Sequence, residues 1–310
     1  MTRREAIGLL ASTPPAPQRR PPEIDAAIIS RHDRVLDDLL QRQITDPASP
    51  RRGAYPDEFG LYAPGSASGI LEWAMAAFLC RQSKFHRAAE LAARMRLAAG
   101  YLDRVQNEHG NVDLPITNFN SPPDTAFVTL NVATACLLAR RAGERELVST
   151  LEPFLRKAGA AMAAGGIHTP NHRWVVCAAL AQVHELFPDE RYPRRAGQWL
   201  AEGIDIDSDG QYTERSTLVY NPITNRALII VAEKLNRPEL LDPVRQNLES
   251  MLYLLHPGDE LVTEISRRQD QYQRGGAGRH WFALKYLGVR DRDGRFNGLA
   301  NKHAAENASL

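Results

Sequence analysis

Cysteine is scarce. Three residues, Cys80, Cys136 and Cys177, cannot build a disulfide framework in a chain of 310. Each lies in an apolar stretch rich in Ala and Leu, at spacings that fit no zinc or redox pattern, so all three are expected as small buried hydrophobes. An excess of charge is also missing: 38 Lys and Arg against 37 Asp and Glu leave +1, which gives no reason to expect nucleic acid or a membrane surface as partner. No apolar run approaches the roughly 18–20 residues of a spanning helix. Alternating β-branched runs are few as well, which argues against a sheet-built protein. What remains, 43% hydrophobic and 24% charged residues, is the composition of an ordinary folded chain of one large domain or two small ones.

The first 22 residues differ from the rest. Arg3 and Arg4 followed by Ala6 to Ala11 look like a twin-arginine export signal with a short apolar part, which would make the parent periplasmic or secreted; without it the chain would be cytoplasmic. Pro14, Pro15, Pro17, Pro21 and Pro22 then read as an extended or disordered linker. Residues 23–290 form the expected domain, and 291–310 a polar C-terminal tail.

Within that domain apolar residues recur at three- and four-residue steps, which predicts an all-α chain of about ten helices. The segments at 70–79, 126–139, 172–186 and 223–235 are apolar nearly all round, whereas those at 86–106, 147–160 and 194–204 carry a charged face. A helix that is apolar on every side is buried and a one-sided helix lies outside. Strict alternation of the two kinds predicts helical hairpins in two concentric rings, an incomplete (α/α) toroid or barrel; a solenoid of stacked hairpins is the alternative.

Polar clusters open the apolar helices at a fixed spacing. Asp124 and His172 are 48 residues apart (172 − 124), as are His172 and Tyr220 (220 − 172) and Tyr220 and Arg268 (268 − 220). Parallel inner helices would bring these clusters to one rim, at the positive ends of the helix dipoles, where an anionic ligand is favoured. Asn118 and Asn120 precede Asp124, Trp174 follows His172, and Arg267 adjoins Arg268.

Asn171-His172, followed by Asp209-Gly210, Tyr212, Glu214-Arg215-Ser216 and Tyr220-Asn221, resembles the heparinase II/III-like polysaccharide lyases, the oligoalginate lyases among them. The resemblance covers residues 50–290 in architecture and rests on short motifs. It implies an incomplete α/α toroid and β-elimination in a uronate-containing acidic glycan, with Asn171, His172 and Tyr220 catalytic. Substrate binding would fall to Asn118, Asn120, Asp124, Trp174, Tyr212, Glu214, Asn221, Arg267 and Arg268. The family also carries a C-terminal β-sandwich with a further histidine and often a zinc, and the sequence up to Leu310 holds no counterpart of it. An exposed rim, slow turnover and a covering homodimer are the expected consequences. No cofactor and no metal site is expected in the toroid itself.

Other readings of the same residues stay open. Asp124 and Glu214 would be the two carboxylates of a glycoside hydrolase on the same toroid, and a non-catalytic glycan-binding helical module needs neither. His172 as a helix cap and Tyr220 as a packed loop residue are the plain structural alternatives. Asp205 to Gly210 imitates half of an EF-hand loop, but Ser216 stands where the loop needs Glu. Tyr55, Tyr62, Trp73 and Trp174 are candidates for sugar stacking or for packing in the wall.

Overall fold

The computed structural model describes residues 26–304. The export-like segment and the proline stretch lie outside them. The helices are α1 (Ala26–Arg42), α2 (Pro64–Leu79), α3 (Ala89–Val105), α4 (Pro122–Arg141), α5 (Arg145–Ala164), α6 (Pro170–Leu186), α7 (Arg191–Leu200), α8 (Tyr220–Lys234), α9 (Leu241–Tyr253), α10 (Trp281–Arg290) and α11 (Gly294–Lys302). A short antiparallel ribbon, β1 (Val112–Leu114) and β2 (Asn118–Ser121), leads into α4. None of the described helices is long and apolar enough to cross a membrane.

The expected alternation is the architecture. α2, α4, α6, α8 and α10 pack on one another in sequence, while α3, α5 and α7 form an outer row, each laid against an inner neighbour. The inner helices are built for this: small residues such as Ala133, Ala135, Cys136, Ala178 and Ala179 are fully buried and let the axes approach. Proline at the first turn starts α2, α4 and α6, where its missing N–H costs nothing, and the Ser121 side chain caps α4 by accepting from Asp124 N.

Three local expectations change. Cys136 and Cys177 are buried, and desolvation pushes both thiols up to about 12, but Cys80 is only half-buried at the end of α2. The polar segment after residue 290 contains α11, anchored on α10 through Phe296, which is 1% exposed. Gly288 permits that contact, since a Cβ there would lie 2.7 Å from Asn297 N. Trp174, 1% exposed, is a core residue whose Nε1 donates to Asp205 Oδ1 at 3.1 Å, so it offers no stacking face to a sugar.

The Asp205–Gly210 segment is a tight turn with its carboxylates in use. Asp205 pairs with Arg173 at 3.1 Å and Asp207 with Arg215 at 2.8 Å. Gly210 sits at φ +79°, where a Cβ would lie 2.6 Å from Gln246 O, so only glycine fits between the turn and α9. Asn247 donates to Gly210 O, Asn225 donates to Asn247 and Tyr212 donates to Asn225, all within 2.9 Å. This buried chain fixes the loop that carries Glu214. It also consumes Tyr212, which is 3% exposed and faces away from the rim.

Candidate active site at the inner-helix rim

The site is assembled by the N-termini of α4, α6 and α8 and by the loop at 263–270. On α4, Asp124 Oδ2 accepts from Asn118 at 3.0 Å and from Ser121 Oγ. On α6, Asn171 is 1% exposed and donates to both oxygens of Glu214, at 2.8 and 3.0 Å. His172 lies edge-on to His168, with ring centroids 4.7 Å apart, and to Phe127 at 5.9 Å.

Arg268 ties these groups to α8. Its guanidinium pairs with Glu214 at 3.0 Å, lies 4.7 Å from the Tyr220 ring centroid and brings Nη2 within 3.5 Å of the Tyr220 hydroxyl. Gln269 Nε2 donates to the same hydroxyl at 2.7 Å. The Tyr220 oxygen therefore accepts from a neighbour, and its own proton is free to be exchanged with a bound molecule.

One buried carboxylate holds the two halves in register. Asp270, 0% exposed, accepts from Ser216 Oγ at 2.9 Å, from Ser266 Oγ and from Leu218 N at 3.2 Å. Ser216 Oγ in turn accepts from Tyr220 N at 2.9 Å, and Ser266 Oγ from Arg268 N at 3.1 Å. The backbones of Tyr220 and Arg268 thus hang from the same side chain through one serine each.

Electrostatics keep His172 neutral. Burial lowers it to about 4, His168 and Arg268 lower it further, and Asp124 opposes them. Its Nδ1 is buried without a protein partner, as is Asn171 Oδ1. Burial also raises Glu214, against the pull of Asn171 and Arg268. Behind the site, His280 donates from Nε2 to Thr217 O at 2.8 Å and is lowered to about 4 by complete burial.

These two histidines set an acid limit. Each has a folded value of about 4 against 6.5, so the unfolded chain binds more protons between those pH values and stability falls as pH drops through that window. Urea unfolding between pH 7 and pH 4 should therefore show a decline that is shallower in His280→Gln, which keeps a donor to Thr217. Identical declines in the two proteins would remove His280 from the account.

Asn118, Asp124, Asn171, His172, Glu214, Tyr220 and Arg268, singled out from the sequence, meet here. Others do not. Asn120 has φ +47° and accepts from Asn107 and Asn111, outside the rim. Asn221 is 2% exposed and donates to Gln211. Arg267 is exposed and donates to Thr213 O at 3.4 Å, while its N–H binds Glu214 O. Trp73 stacks on His32 at 4.5 Å in the wall, and Tyr55 and Tyr62 are covered by Arg42 and Arg51. His168, Gln269, Ser216, Ser266 and Asp270 were not legible as site residues. The only signal for them was adjacency in sequence to the 48-residue positions.

No protein-family model matches the sequence, and no curated protein matches it. Solved structures do match the fold. A sugar epimerase from a ruminal bacterium superposes with a TM-score of 0.60 at 11% identity, over 90% of this chain and 85% of its own. The chain has the α/α-toroid fold. A family 76 glycoside hydrolase from a bovine Bacteroides thetaiotaomicron strain gives a TM-score of 0.60 at 10% identity, over 91% of this toroid and 69% of its own chain. A D-mannose isomerase gives 0.57 at 13% identity, over 92% and 87%. At such identities the likeness concerns the fold.

Proposed function

We propose that this toroid is a lyase that cleaves a uronate-containing oligo- or polysaccharide by β-elimination. The observation that carries the reading is the Tyr220 hydroxyl, held against the Arg268 guanidinium and the Gln269 amide beside the neutral His172. The sugar-processing names of the structural neighbours support a saccharide substrate.

The chemistry is a proton relay at carbon. The C5–H bond of the uronate breaks, the C4–O4 bond breaks, a C4–C5 double bond forms and the proton leaves on O4. No water is consumed. Tyr220 takes the C5 proton and returns it to the departing oxygen, a positioned acid–base role. Arg268 stabilises negative charge on the Tyr220 oxygen as the proton moves, and together with the N–H of neutral His172 it faces the uronate carboxylate, whose charge otherwise resists removal of C5–H. Glu214 and Asn171 orient Arg268. A neutral imidazole is the right form for this, since it donates one hydrogen bond without titrating.

The hydrolase reading draws on one observation, the raised Glu214 carboxyl, which suits a general acid. Against it, both Glu214 oxygens accept from Asn171, and Asp124 Oδ2 accepts from Asn118 and Ser121. A panel of acidic glycans incubated with the chain separates the two. Elimination produces ultraviolet absorbance from the C4–C5 double bond, and reducing ends appearing without it would establish hydrolysis.

A further inference from the structure

Behind the rim the toroid lumen is not filled. A cavity of about 170 Å³ lies between α2, α4 and α8, with Gly65, Ser68, Phe127, Asn131, Ile223 and Arg226 in its lining. Phe127 is also the ring on which His172 rests edge-on, so the cavity adjoins the Tyr220 site from within.

The charge of this cavity is cancelled inside it. Arg226 reaches across the lumen from α8 to Glu72 on α2, with Nη2 2.6 Å from Oε1, and the two side chains are only 28% and 11% exposed. Among the described residues lining the cavity, Arg226 is the one charged side chain. The polar groups left to a ligand are hydrogen-bonding rather than ionic: the remaining guanidinium N–H groups of Arg226, and Asn131, which donates to Ser68 Oγ at 3.2 Å. Phe127, Leu130 and Ile223 supply apolar wall. Hydroxyls with an apolar ring face match such a lining. A second carboxylate or a sulfate does not, because it would enter a desolvated space beside Glu72 with no uncompensated cation to meet it.

We propose that this cavity is the subsite for an uncharged sugar ring joined to the uronate, and that Glu72, by neutralising Arg226, excludes an acidic ring from it. The substrate class is then a glycan in which uronate is linked to a neutral hexose or N-acetylhexosamine, as distinct from a polymer acidic at every ring or sulfated on the neighbour. The inference rests on the elimination reading for which ring lies at Tyr220, but it is tested by binding.

The test is calorimetric titration of the whole chain with two tetrasaccharides. One is heparosan, in which glucuronate alternates with unsulfated N-acetylglucosamine, and the other is oligomannuronate. The wild type should bind heparosan at least about tenfold more tightly. Glu72→Gln leaves a polar partner but exposes the Arg226 charge, and should bring the two affinities together or reverse them. Gly65→Leu projects into the cavity from a position where an added Cβ meets nothing within 4 Å, and should weaken heparosan binding in a protein that melts normally. This variant decides the matter if Glu72→Gln does not fold. Equal or better binding of oligomannuronate by the wild type, an affinity ratio untouched by Glu72→Gln, heparosan binding untouched by Gly65→Leu, or binding of neither glycan overturns the subsite. Double-bond absorbance is read on the same samples. Selective binding without elimination would sink the lyase reading and leave the subsite standing, whereas elimination without selectivity would do the reverse.

Discussion

Tyr220→Phe should abolish elimination while leaving the fold intact. The substitution removes one oxygen from a half-exposed ring whose other contacts, above all the Arg268 guanidinium over its face, do not involve that oxygen. The cost in stability should stay within about 1 kcal/mol. The cost in rate is of another order. If the hydroxyl moves the proton from C5 to O4, kcat should fall by roughly 10³-fold, at the scale of a lost general acid–base group, with KM little changed. Steady-state rates of double-bond formation, with a melting curve for each protein, check both halves. A variant that keeps more than about a tenth of the wild-type kcat would remove Tyr220 from the chemistry.

Asp270→Ala should be the most damaging single change away from the reacting atoms. It deprives Ser216 Oγ, Ser266 Oγ and Leu218 N of one fully buried acceptor, and those serines are what hold Tyr220 N and Arg268 N. Stranding buried donors costs about 1–3 kcal/mol each where they find no other partner, so a loss of about 3 kcal/mol in urea unfolding is expected. Asp270→Asn retains one acceptor oxygen and should cost less. The readout that separates positioning from plain destabilisation is catalysis at a temperature where Asp270→Asn is folded. There kcat should fall while binding of the glycan to the lumen cavity persists. An Asp270→Asn protein with wild-type kcat would show that the 263–270 loop keeps its geometry without this carboxylate.

Much of this was legible in the chain itself, for a physical reason. A helix buried on every side has no amphipathic face, so Thr125–Ala139 and Trp174–Val183 announce an inner ring by lacking a polar stripe, and the 48-residue spacing follows from one hairpin per step. α10 and α11 were hard to see because Arg, Asp and Gly crowd residues 288–298 and only Phe296 and Ala300 anchor the last helix. In the site, sequence neighbours were the difficulty. Consecutive residues on a helix point about 100° apart, so Tyr220 reaches the rim while Asn221 faces inward to Gln211. Trp174, one turn beyond Asn171, shares its inward face and is swallowed by the core. Within the 263–270 loop the same holds for Arg267, which turns to solvent, and Arg268, which turns to Glu214. Asp270 reads in sequence as one more surface charge, and only the packing of two loops around it reveals a buried acceptor.

The central claim, that the rim performs elimination rather than hydrolysis, is tested most directly by mass balance. A tetrasaccharide of alternating glucuronate and neutral hexosamine is incubated with the wild-type chain and with Tyr220→Phe, and the products are weighed by mass spectrometry. The account predicts wild-type fragments whose masses sum to that of the substrate, one of them carrying the double bond, and no cleavage by the variant. Fragments that together exceed the substrate by one water, or equal cleavage by both proteins, would contradict it.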